Sequence, residues 1–141
     1  MQAISPDVPI KPSKLALLMQ FLRFGVVGGG GFVVDTAVVY AVKGMLGLYW
    51  AGAIAYPVAA TFTWIANRLW TFRGQGSGSV HRQWAIFLAT NLLGFVLNRG
   101  TYFALVATSP FVAAYPVIAV AAGAVAGMFL NFHLARSVVF K

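Results

Sequence analysis

A single acidic residue lies inside a long apolar segment near the start of the chain. The segment runs from Arg23 to Lys43, contains Asp35 as its only internal charge, and includes four consecutive glycines. About twenty residues of helix extend about 30 Å, which matches the hydrocarbon core of a bilayer. Because an ionised carboxylate at mid-span costs roughly 2.5 to 3.5 kcal/mol on insertion scales, Asp35 requires a partner or a purpose. The segment predicts a membrane span with one polar site.

The composition argues against a soluble domain. Hydrophobic residues make up 60% of the 141 residues and charged residues only 9%, far from the globular average. The net charge of +8 comes mostly from basic residues beside apolar stretches, which fits anionic lipid headgroups better than nucleic acid. We therefore predict an all-α integral membrane protein that contacts membrane lipids and binds no nucleic acid.

Four apolar stretches are long enough to cross a bilayer. They are residues 21–42, 48–70, 84–107 and 111–139. Short joints pair them into two helical hairpins, residues 21–73 and 84–141, separated by a glycine- and serine-rich linker, 74–83. Residues 1–20 lack the features of a cleaved signal peptide and are predicted to be a cytoplasmic tail.

The basic residues predict the orientation of the spans. Most of them fall on one side of the four stretches, whereas Lys43 falls on the other. The first group comprises Lys11, Lys14, Arg23, Arg68, Arg73, Arg82, Arg136 and Lys141. The positive-inside rule then predicts a multi-pass protein with both termini and the linker in the cytoplasm.

The two hairpins also resemble each other in sequence. Residues 24–40 align with residues 87–103 at a constant offset, and the hairpin ends align as well. The aligned pairs include Phe24 and Phe87, Gly31 and Gly94, Asp35 and Asn98, Arg68 and Arg136, and Phe72 and Phe140. Since each copy enters from the cytoplasm, we predict a parallel internal repeat.

Four segments carry a family resemblance: RFGVVGGGGFVVDTAVVY, WIANRLWTF, FLATNLLGFVLNRGTYF and FLNFHLARSVVF. Together they resemble the signature segments of the GtrA-like family of small four-span membrane proteins, over residues 21–141. The fourth segment departs from the pattern with Ala135 where the second has Asn67. The resemblance implies a role in cell-surface polysaccharide synthesis, in which a polyprenyl-phosphate-linked sugar crosses the cytoplasmic (inner) membrane and a separate membrane glycosyltransferase handles the sugar.

Asp35 and Arg99 are the first candidate site residues. In the repeat alignment Arg99 follows Asn98, the counterpart of Asp35, so the two charges differ by about 1.5 Å in depth if the helices are parallel. This predicts an ion pair across the repeat interface. The pair has two interpretations: it only offsets the cost of two buried charges, or it opens when an anionic headgroup competes for Arg99.

Arg68 and Arg136 end the second and fourth spans. A guanidinium presents a planar fork of donors that fits phosphate oxygens, although arginines also serve as plain interface anchors. Asn67 and Asn131 supply neutral donors for a phosphate or for sugar hydroxyls, and Asn98 lines the same groove at greater depth. Asparagines within spans also hold helices together. The predicted lipid-phosphate and sugar site thus comprises Asp35, Arg68, Asn98, Arg99, Asn131 and Arg136.

Glycines predict close helix packing. Gly25 and Gly29 are four residues apart, as are Gly123 and Gly127, and this small-residue spacing lets helices approach closely in membranes.

Little in the sequence favours an enzyme. The chain has only two acids, Asp7 and Asp35, and two widely separated histidines, so paired-carboxylate chemistry and a metal site are not expected. We predict no catalytic residue, metal or cofactor. The leading hypothesis is a translocase of lipid-linked sugar that works as a homo-oligomer, most simply a dimer. The alternatives are a non-transporting partner of a glycosyltransferase and a small proton-coupled cation exporter that uses Asp35.

Overall fold

The computed structural model describes residues 10–115 and 117–141, apart from the side chain of Tyr49. Over these residues the chain is helical and contains no strand, which confirms the predicted all-α class. The helices are α1 (Lys14–Ala66), α2 (Val80–Thr108), α3 (Pro110–Ala114) and α4 (Val117–Leu134). A π-helical turn follows α1 at Asn67–Thr71, and another follows α4 at Ala135–Val139.

Helix α1 begins earlier than predicted. Part of the predicted tail, residues 1–9, lies outside the described residues, but the rest becomes helical from Lys14. Ser13 caps the helix, because its Oγ accepts a hydrogen bond from the backbone N–H of Ala16 at 3.1 Å. The helix therefore starts within the predicted tail, because a capping residue and not hydropathy sets its first residue.

Helix α1 folds back on itself at Gly47. This residue has φ 76° and ψ 167°, a conformation that is readily available only to glycine. The two halves, residues 14–46 and 48–66, run antiparallel: a Cβ on Gly30 would lie 3.2 Å from the Phe62 ring, and one on Gly31 would overlap Thr63. The predicted joint of residues 43–47 is therefore a break at one residue.

Helices α2 and α4 form the second antiparallel pair and pack closely. A Cβ on Gly123 would lie 2.5 Å from the backbone oxygen of Asn98, and one on Gly127 would lie 2.9 Å from that of Gly94. The packing role predicted for Gly123 and Gly127 is confirmed. Gly29 makes no such contact within the chain, because no described residue beyond its own turn of helix lies within 4 Å of a Cβ built there.

Two other predicted boundaries shift. Helix α2 begins at Val80, inside the predicted linker, and the predicted fourth span is divided between α3 and α4. Pro110 starts α3, and the Ser109 Oγ accepts from the N–H of Val112. A proline and a capping hydroxyl begin a helix whatever the hydropathy around them.

Hydrogen bonds join the two helix pairs. The Tyr56 hydroxyl donates to the backbone oxygen of Leu88 at 2.7 Å. Nearer the linker, the Trp84 indole N–H donates to the Thr61 hydroxyl at 2.8 Å. The second half of α1 therefore lies antiparallel beside α2.

The best-packed core is aromatic and lies at one end of the molecule. Phe72 stacks on Phe140 and meets Phe24 edge to face with centroids 6.2 Å apart. On the other side Phe140 meets Phe87 edge to face at 6.1 Å. The remaining buried members of this cluster are Trp64, Phe132, Ala135 and Val139.

Most of the remaining surface is apolar. Phe32, Trp50 and Val117 are 72%, 69% and 72% exposed, and a water-soluble monomer rarely exposes a continuous apolar surface. By length and hydropathy, Lys14–Leu48 and Val117–Val139 are candidate membrane spans. These features fit a protein surrounded by lipid.

Candidate functional site

The polar ends of the helices meet around the aromatic core. The Gln20 side chain near the start of α1 donates to the backbone oxygen of Thr71 at 3.3 Å, while Gln83 near the start of α2 contacts Arg68. We call this end of the molecule, formed by residues 67–83 and 135–141, the basic end. It brings together the π-helical turns and five of the ten lysines and arginines.

The two π-helical turns have the same geometry. The N–H of Phe72 bonds the oxygen of Asn67 at 2.8 Å, and the N–H of Phe140 bonds the oxygen of Ala135 at 2.8 Å. The second residue of each turn is an arginine, Arg68 in one and Arg136 in the other. Single π-helical turns occur often at functional sites, and here they place two guanidinium groups at the basic end.

Arg68 donates a hydrogen bond to Gln83, a residue that was not predicted from the sequence. Gln83 is only 4% exposed, and its side-chain oxygen accepts from the Arg68 guanidinium and, at 3.2 Å, from the Trp64 indole N–H. The guanidinium carbon of Arg68 also lies 5.9 Å from the Trp64 ring centroid. Extending the repeat alignment four residues before Phe24 and Phe87 would have matched Gln20 with Gln83 and marked both.

Arg136 borders two open clefts. The larger one has a volume of about 620 Å³ and is lined by polar groups that include Gln75, Ser77, His133, Ser137 and Lys141. The smaller one, about 290 Å³, is lined by Gln20, Arg23 and Thr71 among others. No acidic side chain is among the described residues that line either cleft. Uncompensated positive charge next to hydrogen-bonding groups is suited to an anion.

Three buried polar atoms at or near this end lack a hydrogen-bond partner among the described residues. They are Asn67 Oδ1, Thr71 Oγ1 and Asn131 Oδ1. Asn67 is 1% exposed, and the Asn131 side chain packs directly against Gly94. Buried polar groups are nearly always paired, and these three atoms are exceptions in the described part of the chain. The sequence predicts Asn67 and Asn131 as neutral donors for the ligand, and the structure buries both side chains at or near this end.

Asp35 and Arg99 are not brought together. In the described part of the chain no ion pair involves Asp35, which is half-buried, while Arg99 is exposed and its guanidinium carbon lies 5.5 Å from the Phe95 ring centroid. The predicted ion pair is therefore wrong for this structure. Asn98 packs against α4, and the next residue on a helix points about 100° away, so Arg99 faces outward.

The predicted site residues thus separate into two levels. Arg68 and Arg136 lie at the basic end, and Asn131 lies about one turn before Arg136. Asn98 lies opposite Gly123, which is about 20 Å from Arg136 along the helix. Arg99 shares the level of Asn98.

The sequence of this chain matches a known protein family. The family described as GtrA/DPMS, transmembrane domain, matches residues 23–140. The chain belongs to the GtrA/DPMS family. The match confirms the resemblance found in the sequence and includes both π-helical turns and the whole aromatic core. A comparison with curated proteins finds no significant match.

Membership in the GtrA/DPMS family, together with the apolar helices, makes this a membrane protein. The family is linked to the translocation of sugars on glycosyl-carrier lipids. Such a ligand combines an anionic phosphate, a polar sugar and an apolar chain. The clefts around Arg136 offer groups that match its polar parts.

Proposed function

We propose that this GtrA/DPMS protein moves a polyprenyl-phosphate-linked sugar across the cytoplasmic membrane for cell-surface polysaccharide synthesis. One observation carries the proposal: Arg136 stands between two polar clefts that no described acid lines. A guanidinium binds phosphate through two parallel hydrogen bonds, and the larger cleft supplies hydroxyl, amide and imidazole groups for a sugar.

The proposal includes a topology of four spans. Two are the halves of α1, one is α2, and the last comprises α3 and α4 with its π-helical turn. Both termini and the linker are placed in the cytoplasm, because the basic end carries the positive charge. The repeat is supported by the matching π-helical turns and by the contacts of Phe72 with Phe24 and of Phe140 with Phe87.

The deeper polar residues extend the proposed path. Asn98 and Arg99 lie about 20 Å from Arg136, and Asp35 is the counterpart of Asn98 in the first hairpin. Asn131 lies between the two levels. A headgroup bound at Arg136 meets these groups next as it crosses. Asp35 and Arg99 act separately in this scheme, and not as an ion pair.

The exposure of Arg99 supports a homodimer. A charged side chain facing hydrocarbon is costly, and Arg99 is exposed in the single chain. A second copy that covers this face removes the arginine from lipid and encloses a path for the sugar. The chemistry of sugar transfer is assigned to a separate membrane glycosyltransferase, and the protein itself is proposed to be no enzyme.

A reconstituted assay tests this function. The purified protein is placed in liposomes that contain labelled polyprenyl-phosphate-sugar in one leaflet, and its appearance in the other leaflet is followed. We expect Arg136→Gln to slow transfer about tenfold, whereas Arg82→Gln, an exposed arginine outside both clefts, leaves it unchanged. Transfer no faster than in protein-free liposomes contradicts the proposal.

A second candidate, a non-transporting partner of a glycosyltransferase, is favoured by one observation. Among the described residues, none lies within 4 Å of a Cβ on Gly28 or Gly29, so this part of α1 is open to another helix. If that is the function, Gly29→Leu abolishes copurification of the enzyme, and the liposome assay shows no transfer.

A further inference from the structure

The two arginines of the π-helical turns differ in what they contact. Gln20 and Gln83 each lie four residues before an aligned phenylalanine, Phe24 or Phe87. Gln83 accepts a hydrogen bond from Arg68. Gln20 instead donates to the Thr71 backbone oxygen at 3.3 Å and to the Gln75 side chain at 3.2 Å. Arg136 therefore lacks the glutamine contact that Arg68 has.

A cleft lies where Gln20 would contact Arg136 if the second pair matched Gln83 and Arg68. Gln20 and Arg136 both line the smaller cleft, whose volume is about 290 Å³. Arg68 lines neither of the two clefts. A glutamine is thus hydrogen-bonded to the arginine at Arg68, whereas at Arg136 a glutamine and the arginine border an open cleft.

Other groups in the smaller cleft favour a phosphate. Arg23 supplies a second guanidinium, and its carbon Cζ lies 5.7 Å from the Trp70 ring centroid, so a stacked aromatic ring holds it. Thr71 also lines this cleft; it is 5% exposed, and its Oγ1 has no partner among the described residues. Two guanidinium groups match the charge and the acceptor oxygens of a phosphate group.

We propose that the lipid phosphate binds in the smaller cleft, held by Arg136 and Arg23 with Thr71 and Gln20 beside it, while Gln83 keeps Arg68 out of the site. The proposal rests on the proposed function, because it takes the phosphate to be that of a polyprenyl lipid. It replaces the symmetric pair of arginines expected from the sequence with a one-sided site. Arg68 becomes a positioning residue that ties the first π-helical turn to α2.

Binding measurements on the full chain in phosphatidylcholine nanodiscs test the site. The probes are polyprenyl phosphate, the matching polyprenol and inorganic phosphate, each titrated by calorimetry. We expect polyprenyl phosphate to bind and the polyprenol to bind at least tenfold more weakly. Inorganic phosphate is expected to compete only at much higher concentration. Inorganic phosphate that binds as tightly as the lipid overturns the lipid assignment.

Substitutions then locate the phosphate. Arg136→Gln and Arg23→Gln should each weaken polyprenyl phosphate binding about tenfold or more, and Arg68→Gln should weaken it less than either. Arg82→Gln is the matched control, because this exposed arginine belongs to the basic end but lines neither cleft. An equal loss for Arg68→Gln and Arg136→Gln overturns the one-sided site, and an equal loss for Arg82→Gln shows general surface attraction in its place.

Two readouts separate this site from the function. Circular dichroism and size-exclusion profiles confirm that each variant is folded. If Arg136→Gln does not fold, Arg136→Lys replaces it, because lysine keeps the charge but loses the planar fork. Its loss of binding should be smaller, with the same ranking among the variants. If polyprenyl phosphate binds with the expected pattern but liposomes show no transfer, the translocase proposal fails and the site stands. If transfer proceeds normally in Arg23→Gln and Arg136→Gln, the site fails and the function stands.

Discussion

The rings of Phe72 and Phe140 stack face to face, with centroids 4.7 Å apart and planes 10° from parallel. Each phenylalanine follows a π-helical turn, and its N–H closes that turn. The contact therefore joins the ends of the two helix pairs at the centre of the basic end. The two arginine-bearing turns are therefore connected through this stack.

Removing either ring should destabilise the protein strongly. Phe72 and Phe140 are 0% and 2% exposed, so Phe72→Ala or Phe140→Ala leaves a cavity and should lower the free energy of unfolding by about 3 to 5 kcal/mol. Unfolding in mixed micelles with increasing dodecyl sulfate measures this. Phe103→Ala, at an exposed phenylalanine, is the control, and equal losses at buried and exposed rings would count against the aromatic core.

A methyl group at Gly94 should disturb the α2–α4 contact. A Cβ at this position overlaps the Asn131 side chain, so Gly94→Ala should cost about 1 to 3 kcal/mol, measured in the same way. Gly100→Ala is the matched control, because among the described residues none lies within 4 Å of a Cβ there. The double variant Gly94→Ala, Asn131→Ala should recover part of the loss; no recovery would show that the clash is not with Asn131.

Gln83 should contribute to stability through its side-chain oxygen and not through the size of its side chain. Gln83→Leu leaves the Trp64 N–H and one guanidinium N–H of Arg68 without a partner and should cost about 1 to 3 kcal/mol of stability. Gln83→Glu keeps an acceptor oxygen for both donors and should be milder. The unfolding midpoints of the two variants test this role of the oxygen. A larger loss of stability for Gln83→Glu than for Gln83→Leu would contradict it.

Asp35 and Arg99 should behave as independent sites. Because no ion pair joins them, the effects of Asp35→Asn and Arg99→Gln on unfolding free energy should add to within about 0.5 kcal/mol in the double variant. If an ion pair forms in the membrane, the double variant would lose less unfolding free energy than the sum of the losses in the two single variants. The ion pair expected from the sequence would give that second result.

The four-span topology can be tested directly, because the chain has no cysteine. Single Met45→Cys and Ser77→Cys variants place thiols in the turn of α1 and in the linker, at exposed positions. An impermeant maleimide should label Met45→Cys in intact spheroplasts and Ser77→Cys only in inverted vesicles. Labelling of both from the same side would exclude the proposed arrangement.

The sequence by itself determined the helical class, the family and the positions of the main breaks between helices. Glycine, proline and polar residues interrupt apolar runs at Gly47, Ser109 and the linker, and these signals are local. The pairing of Gly123 and Gly127 with another helix was also predictable, because small residues in this spacing have few other uses in a membrane helix.

Only the tertiary structure decided which side chains meet. The helices are apolar on nearly every face, so hydropathy sets the depth of a residue in the membrane but not the direction in which it points. One residue of rotation turns Asn98 towards α4 and Arg99 away from it, and a contact from Gln83 distinguishes Arg68 from Arg136. Such choices depend on close packing between helices that are distant in the chain, and no local pattern records them.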